Sequence, residues 1–369
     1  MQKQLLCLAA LALSVHGLVH AQDKWIVGQS APLSGSNAKF GADIRDGAAA
    51  YFAMLNARGG VAGRQIELLT LDDKNDRKAA GANTKTLLGT KDLVALFGYG
   101  SATLSLDALP QAEAADVAFF APFSGANAVR GNSPVLFTIR ASYGEEMEKM
   151  LNFWTSLGFK RVSVVYYDDE VGKQNLELVS QYLKKVNLTP TALPLKRNAP
   201  VGKVEAQALA AQRPEVIVNT VLSGAAAQLQ KELSAAGKMV PTSSLSFVGA
   251  DQYIAAAGPL SAGVSIAQVV PNPNSPLAVV RECAKALEAA GSKAPMNSTQ
   301  LESCLGAKIL AEGMRRAKKP GSPTSVREAL SNLGSYDLGG YKVSFAPGAQ
   351  HGSKFVELAM VTKDGKLTR

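Results

Sequence analysis

Histidine is scarce in this 369-residue chain: of three, His16 and His20 fall near the start and only His351 lies in the body. A nucleophile–histidine triad would have to be built on His351 alone, a residue in a Gly/Ser-rich loop. Cysteine is as thin, at three residues, and no Cys/His grouping has zinc spacing, so no metal is expected. H-E-x-x-H and Walker A motifs are missing. Gly98-Tyr99-Gly100 begins like a dinucleotide fingerprint, but Thr103 stands where the third glycine belongs. Neither a catalytic residue nor a cofactor is therefore expected. Asp72-Asp73 and Asp168-Asp169 are paired carboxylates that could do acid–base work. Asp at strand ends and helix starts more often caps backbone N–H groups, and that is the stronger reading.

Long apolar runs are also missing beyond the first 21 residues, so no membrane span is expected there. Residues 1–21 read as a cleavable signal peptide: Lys3 is basic, Leu5 to Val19 is the apolar core, and Val19-His20-Ala21 fits the cleavage site. Cys7 follows Leu6 and precedes most of the apolar run, which does not suit a lipid anchor. An exported, soluble chain starting at Gln22 is expected, long enough for two domains. Its remaining cysteines, Cys283 and Cys304, either pair in an oxidising compartment or stay as two buried thiols. The basic excess, net +9, is scattered. Its one cluster, Arg315 to Lys319, closes a helical pattern, where cations complement the dipole. Nucleic-acid binding would want a basic stripe with aromatics, so none is expected. A modest positive field helps to draw in anionic ligands.

What is present is alternation. Strand and helix patterns follow one another from Lys24–Ser30 and Phe40–Arg58 onward. Asp76 caps a helix to about Leu88, and strands are expected at 93–97, 117–121 and 135–139. Ser142 and Glu145 form a capping box, after which the pattern restarts. Strands are then expected at 161–167, 188–195, 215–220, 245–249 and 263–270, with helices between. Three helices follow (277–290, 297–316, and 325–333 with a box at Ser325 and Glu328), then strands at 341–345 and 355–361. Such alternation implies parallel sheets covered on both faces, in two βα sandwiches.

The stretch Thr90–Arg140 organises the rest. Two strands in succession end in small, hydroxyl-bearing turns, Gly98 to Thr103 and Pro122 to Ala126. In open α/β sheets, ligands sit outside the carboxyl ends of strands. Ser101, Thr103 and Ser124 are expected where helix N-termini offer N–H groups to a carboxylate. Either turn alone would also serve as an ordinary N-cap loop. Phe40, Tyr99, Phe123 and Tyr167 could line an apolar wall or simply pack in the core. Asp251 could hold a ligand ammonium or cap the helix 252–257.

Several stretches together resemble the type 1 periplasmic ligand-binding proteins of branched-chain-amino-acid ABC transporters. They are Ala31-Pro32-Leu33-Ser34-Gly35, Phe40-Gly41, Asn56 to Gly63, Asp72-Asp73, Gly98 to Ser105, Ala121 to Ala126, Phe247-Val248-Gly249 and Asp337 to Gly340. The resemblance implies two Rossmann-like α/β lobes joined by three crossovers. They are an N-terminal lobe at 22–140 and 272–340 and a C-terminal lobe at 141–271 and 341–369. It implies ligand contacts at Ser101, Ala102 and Thr103, at Phe123, Ser124 and Gly125, and at Asp251. Relative to the leucine binder, Ala102 and Gly125 lack side-chain hydroxyls, Phe40 replaces a tyrosine, and aromatics fall at Val171 and Leu222. The ligand is then an amino acid or another small carboxylate. The implied partner is an ABC permease of the inner membrane, and the implied state is a periplasmic monomer. A ligand-responsive sensory or regulatory protein on the same fold is the alternative.

Overall fold

The computed structural model of the protein describes residues 24–368; the expected signal peptide, 1–21, lies outside them. The chain begins with β1 (Trp25–Ala31), α1 (Ala38–Asn56), β2 (Ile66–Asp72), α2 (Arg77–Leu88) and β3 (Leu93–Phe97). It continues with α3 (Ala102–Ser105), α4 (Leu109–Ala114), β4 (Phe119–Phe120) and β5 (Leu136–Phe137). These strands form one parallel sheet in the order β2-β1-β3-β4-β5. The pattern restarts with α5 (Tyr143–Ser156), β6 (Val162–Tyr167), α6 (Glu170–Lys185), β7 (Thr191–Leu195) and α7 (Lys203–Ala211). It proceeds through β8 (Val216–Thr220), α8 (Ser223–Ala235), β9 (Thr242–Ser244), α9 (Ala250–Ala257) and β10 (Ser265–Gln268). The chain then returns to the first sheet as α10 (Ala278–Ala289), α11 (Ser298–Arg316), α12 (Pro323–Ser331) and the hairpin β11 (Gly334–Asp337) and β12 (Lys342–Phe345). Finally β13 (Glu357–Val361) and β14 (Leu367–Thr368) add antiparallel edges to a second sheet, ordered β14-β13-β10-β9-β8-β6-β7. The expected two-lobed α/β architecture is what forms.

Burial explains the strand composition. Every residue of β3, Leu93-Val94-Ala95-Leu96-Phe97, is buried, because helices cover both faces of a parallel sheet. On one face Val27, Phe52, Phe97 and Phe120 pack with Leu305 and Leu310 of α11. Leu87 of α2, Ala112 of α4 and Phe119 belong to the core on the other side. Cys283 and Cys304 are disulfide-bonded, with Cα atoms 6.0 Å apart, and tie α10 to α11 inside the first core. In each lobe the helix that follows the first strand, α1 or α6, carries a glycine in its first turns against the end of that strand. A Cβ on Gly41 would lie 1.8 Å from the Pro32 carbonyl oxygen, and one on Gly172 would lie 1.8 Å from that of Tyr167. No side chain fits at either place.

Four expectations are corrected. The segment after β3 is not one helix: α3 is only four residues, and α4 restarts with Pro110 in its first turn. Proline has no N–H to continue a helix entering from Leu106. The strand expected at 245–249 lies earlier, at Thr242-Ser243-Ser244, and Ser246–Val248 is a single 3-10 turn. Its buried hydroxyls are satisfied: Trp154 Nε1 donates to Ser243 Oγ at 2.6 Å. The last helix is capped by Ser322, which accepts from Ser325 N, with Pro323 at the first position. Residues 341–353, expected with the C-terminal lobe, stay on the first sheet. Val343 and Phe345 sit in its core, and His351 and Gly352 bridge to Thr138.

The crossovers are knotted by polar groups. Tyr341 Oη lies 2.9 Å from the Ile139 carbonyl oxygen and 3.3 Å from that of Val269. Arg140, 1% exposed, has Nε 3.3 Å from Glu302 of α11 and donates to Ser246 Oγ of the second lobe. Ser246 in turn gives its N–H and hydroxyl to Glu146 at 2.7 and 2.9 Å. Burial pushes the Glu146 carboxyl up to about 7, against the pull of Arg140.

Candidate ligand-binding site

Both sheets have a topological switch. In the first, β1 lies between β2 and β3; in the second, β6 lies between β7 and β8. The turns after β3 and β4 meet the ends of β6 and β8 across one crevice, as the rule for open α/β sheets requires. Ser101, Ala102, Thr103 and Ser124 line it from the first lobe, and Tyr167 from the second. Backbone holds the two first-lobe turns together, Phe123 N donating to Tyr99 O at 2.8 Å.

The hydroxyls are partly committed. Ser101 Oγ accepts from Leu104 N at 3.3 Å, capping α3. Ser124, fully buried, accepts from Ala126 N at 3.2 Å and donates to Tyr143 Oη at 3.1 Å. Tyr143 itself lines the crevice. The expected helix N-termini are weaker than foreseen, because α3 is one turn long and a 3-10 turn follows Ser124.

Other nominated residues do not reach the crevice walls. Tyr99 is a core residue, its ring 4.6 Å from Phe119 and its hydroxyl 2.8 Å from Thr84 Oγ1. Phe40 and Phe123 meet edge to face at 6.1 Å and form a small cluster with Ile44. Gly125 lets the chain pass the first crossover, since a Cβ there would lie 2.7 Å from the Ala141 carbonyl oxygen. Asp251 is exposed, in the first turn of α9, beside Asp43 and Lys39 of α1. Its helix begins at Ala250 after Gly249, so Asp251 is not the cap. Leu222 lines a neighbouring chamber instead, while Val171 is in the crevice.

The second lobe supplies residues that were not nominated. Arg197 Nη2 donates to Asp169 Oδ2 at 2.7 Å and Nε to the same oxygen at 3.2 Å. Its guanidinium lies 4.3 Å from the Tyr167 ring centroid. From there Nη2 reaches Thr103 Oγ1 of the first lobe at 3.2 Å, and Thr103 Oγ1 lies 3.4 Å from Asp169 Oδ2. Asp169 also caps α6, accepting from Gly172 N at 2.8 Å. Tyr143, Asn175, Thr220 and Phe247 complete the wall. The one available signal was Asp169 at a strand end, read as a cap; Arg197 follows β7 in a loop with no motif. With the lobes in this contact the crevice holds about 20 Å³, room for about one water. A second tie between lobes is Asn75 to Asn198 at 2.9 Å.

His351 is half-buried with both ring nitrogens engaged, Nδ1 3.1 Å from Thr138 Oγ1 and Nε2 2.8 Å from the Arg130 carbonyl. Burial lowers its pKa. Among the described residues no helix is long and apolar enough to cross a membrane.

The periplasmic binding protein family model matches residues 24–366. Among curated proteins the chain is 32% identical over 103 residues to an amino acid binding protein of Pseudomonas aeruginosa. That match covers 27% of this chain and 28% of that protein, little more than a quarter of the relative's length. Among solved structures, a substrate-binding periplasmic protein of Ralstonia solanacearum superposes with a TM-score of 0.88 at 31% identity, covering 93% of this chain and 99% of that one. A possible leucine/isoleucine/valine-binding protein of Rhodopirellula baltica gives 0.88 at 24% identity, over 94% and 97%; this likeness shows the fold. Two lobes with facing switch points, and a family model spanning nearly all the described residues, lead to one statement: the chain belongs to the periplasmic binding protein family.

Proposed function

We propose that this protein is the substrate-binding component of an ABC uptake transporter. It captures a small amino-acid-like or carboxylate solute between its lobes and presents it, as a monomer, to an inner-membrane permease. One observation carries the reading: Thr103 of the first lobe meets Arg197 and Asp169 of the second across the facing switch points. A hydroxyl edge, a cation and an anion converging there suit a solute with a carboxylate and, when present, an ammonium. Opening about the crossovers parts Thr103 from Arg197, while Arg197 keeps Asp169. Ser101, Thr103 and Arg197 then offer donors to a carboxylate, and Asp169 takes the acceptor role expected of Asp251. Closure over the solute restores the inter-lobe contacts, a hinge motion. The disulfide suits an oxidising compartment such as the periplasm.

A thermal-shift screen over amino acids, aromatic acids and dicarboxylates tests this. A ligand at 100-fold its dissociation constant adds about 2.7 kcal/mol of stability. The stabilisation should shrink in Arg197→Met and Thr103→Val. No stabilisation by any of these acids, or full stabilisation in both variants, would remove the proposal.

A further inference from the structure

A chamber of about 520 Å³ adjoins the crevice, and Tyr167 is a wall of both. That is the size of a small-molecule pocket. Three independent features mark it. The 13-residue helix α8 starts there with no side-chain cap, because Leu222 stands at the cap position. Its first backbone bond runs from Ala226 N to Leu222 O, so the N–H groups of Ser223, Gly224 and Ala225 have no intrahelical acceptor. Gly224 and Ala225 line the chamber. From the first lobe comes Asn37, only 6% exposed, which also lines the chamber. Its amide caps no helix and bonds no other described residue. Lys196 is the one charged residue in the walls, and no acid is among them.

A positive helix end and the amide of a buried residue that open on one space, with the exposed Lys196 among its walls, together favour an anion. We propose that the chamber is a second subsite that takes a carboxylate at the far end of an extended ligand. The first carboxylate of that ligand lies in the crevice, with Tyr167 between the two. The solute is then a diacid, with or without an amino group, rather than a simple aliphatic amino acid. This inference rests on the crevice being the ligand site.

Isothermal titration of the mature protein with straight-chain diacids and the monoacids of equal length tests it. The diacid of best length should bind about tenfold tighter than its monoacid, the scale of a favourable helix N-terminus. Lys196→Gln and Asn37→Ala should each lower that ratio by about threefold, with the ligand-free melting temperature read alongside to show that both variants fold. Equal binding of diacid and monoacid, as an apolar tail in the chamber would give, overturns the inference. So does a ratio that survives both substitutions. Monoacid binding that depends on Arg197, with no gain for any diacid, removes the chamber and leaves the crevice standing. Binding of neither class removes both.

Discussion

Removing the Cys283–Cys304 bridge should destabilise the protein by a calculable amount without touching the ligand site. The bridge closes a loop with a sequence separation of 21 between α10 and α11. Chain entropy assigns such a loop about 3.3 kcal/mol at 25 °C, lost when the unfolded chain is freed. Both sulfurs are fully buried in the core beneath α1, so the native packing should stay in place after reduction. Over 345 described residues the unfolding entropy is about 0.7 kcal/mol per kelvin, so the melting temperature should fall by about 5 °C. Differential scanning calorimetry with and without reductant reads this directly. The Cys283→Ala/Cys304→Ala double variant should melt near the reduced protein and be indifferent to reductant. Neither cysteine lines the crevice or the chamber, so ligand affinity should stay within about twofold, the size of a few tenths of a kcal/mol. Two titratable thiols in the protein prepared without reductant would refute the pairing. A reductant-insensitive melting temperature in the bridged protein would refute the loop-entropy reasoning.

Arg197→Met should weaken binding of a carboxylate ligand by about tenfold or more, the scale of one hydrogen bond to a charged group; titration calorimetry measures it, and unchanged affinity would move the site elsewhere. Ser124→Ala should cost about 1–3 kcal/mol of folding stability in urea titrations, because Tyr143 Oη and Ala126 N lose their partner. Glu146 adds a pH dependence. Its carboxyl rises from 4.5 unfolded to about 7 folded, so folding favours the protonated form. The stability it contributes is present below about 4.5 and is lost as pH rises through about 7, amounting to about 3 kcal/mol. Urea midpoints of the native protein should therefore fall more between pH 5 and 8 than those of Glu146→Gln, and parallel curves would count against it.

Much of this molecule is legible locally. The apolar run Leu93–Phe97 followed by small hydroxyl residues announces a buried strand and its exposed turn, because burial and turn chemistry act on neighbours in the chain. Ser101, Thr103, Ser124 and Tyr167 were proposed that way, from strand ends alone, and the fold brings them to one crevice. Gly41 and Gly172 also leave a local trace, each just inside a helix that must touch the strand before it.

Arg197 leaves none. It is separated by 28 residues from Asp169 and becomes its partner only because β6 and β7 pair with Tyr167 beside Leu195. Each of the two then lies two residues past that pair. Asp251 shows the converse: its position in the chain suits a ligand contact, but in the fold it sits in the first turn of α9 near Asp43 and Lys39 and is not in the crevice wall. Residues 341–353 were assigned to the wrong lobe because a strand pattern does not say which sheet will bury it; Phe345 does so against Phe120 and Phe137. The sequence by itself determined the elements, the two-lobed class and the hydroxyl edge, all set by periodicity and turn chemistry within a few residues. Only the tertiary structure decided which charges face that edge, since strand register and lobe contact are outcomes of packing summed over the whole chain.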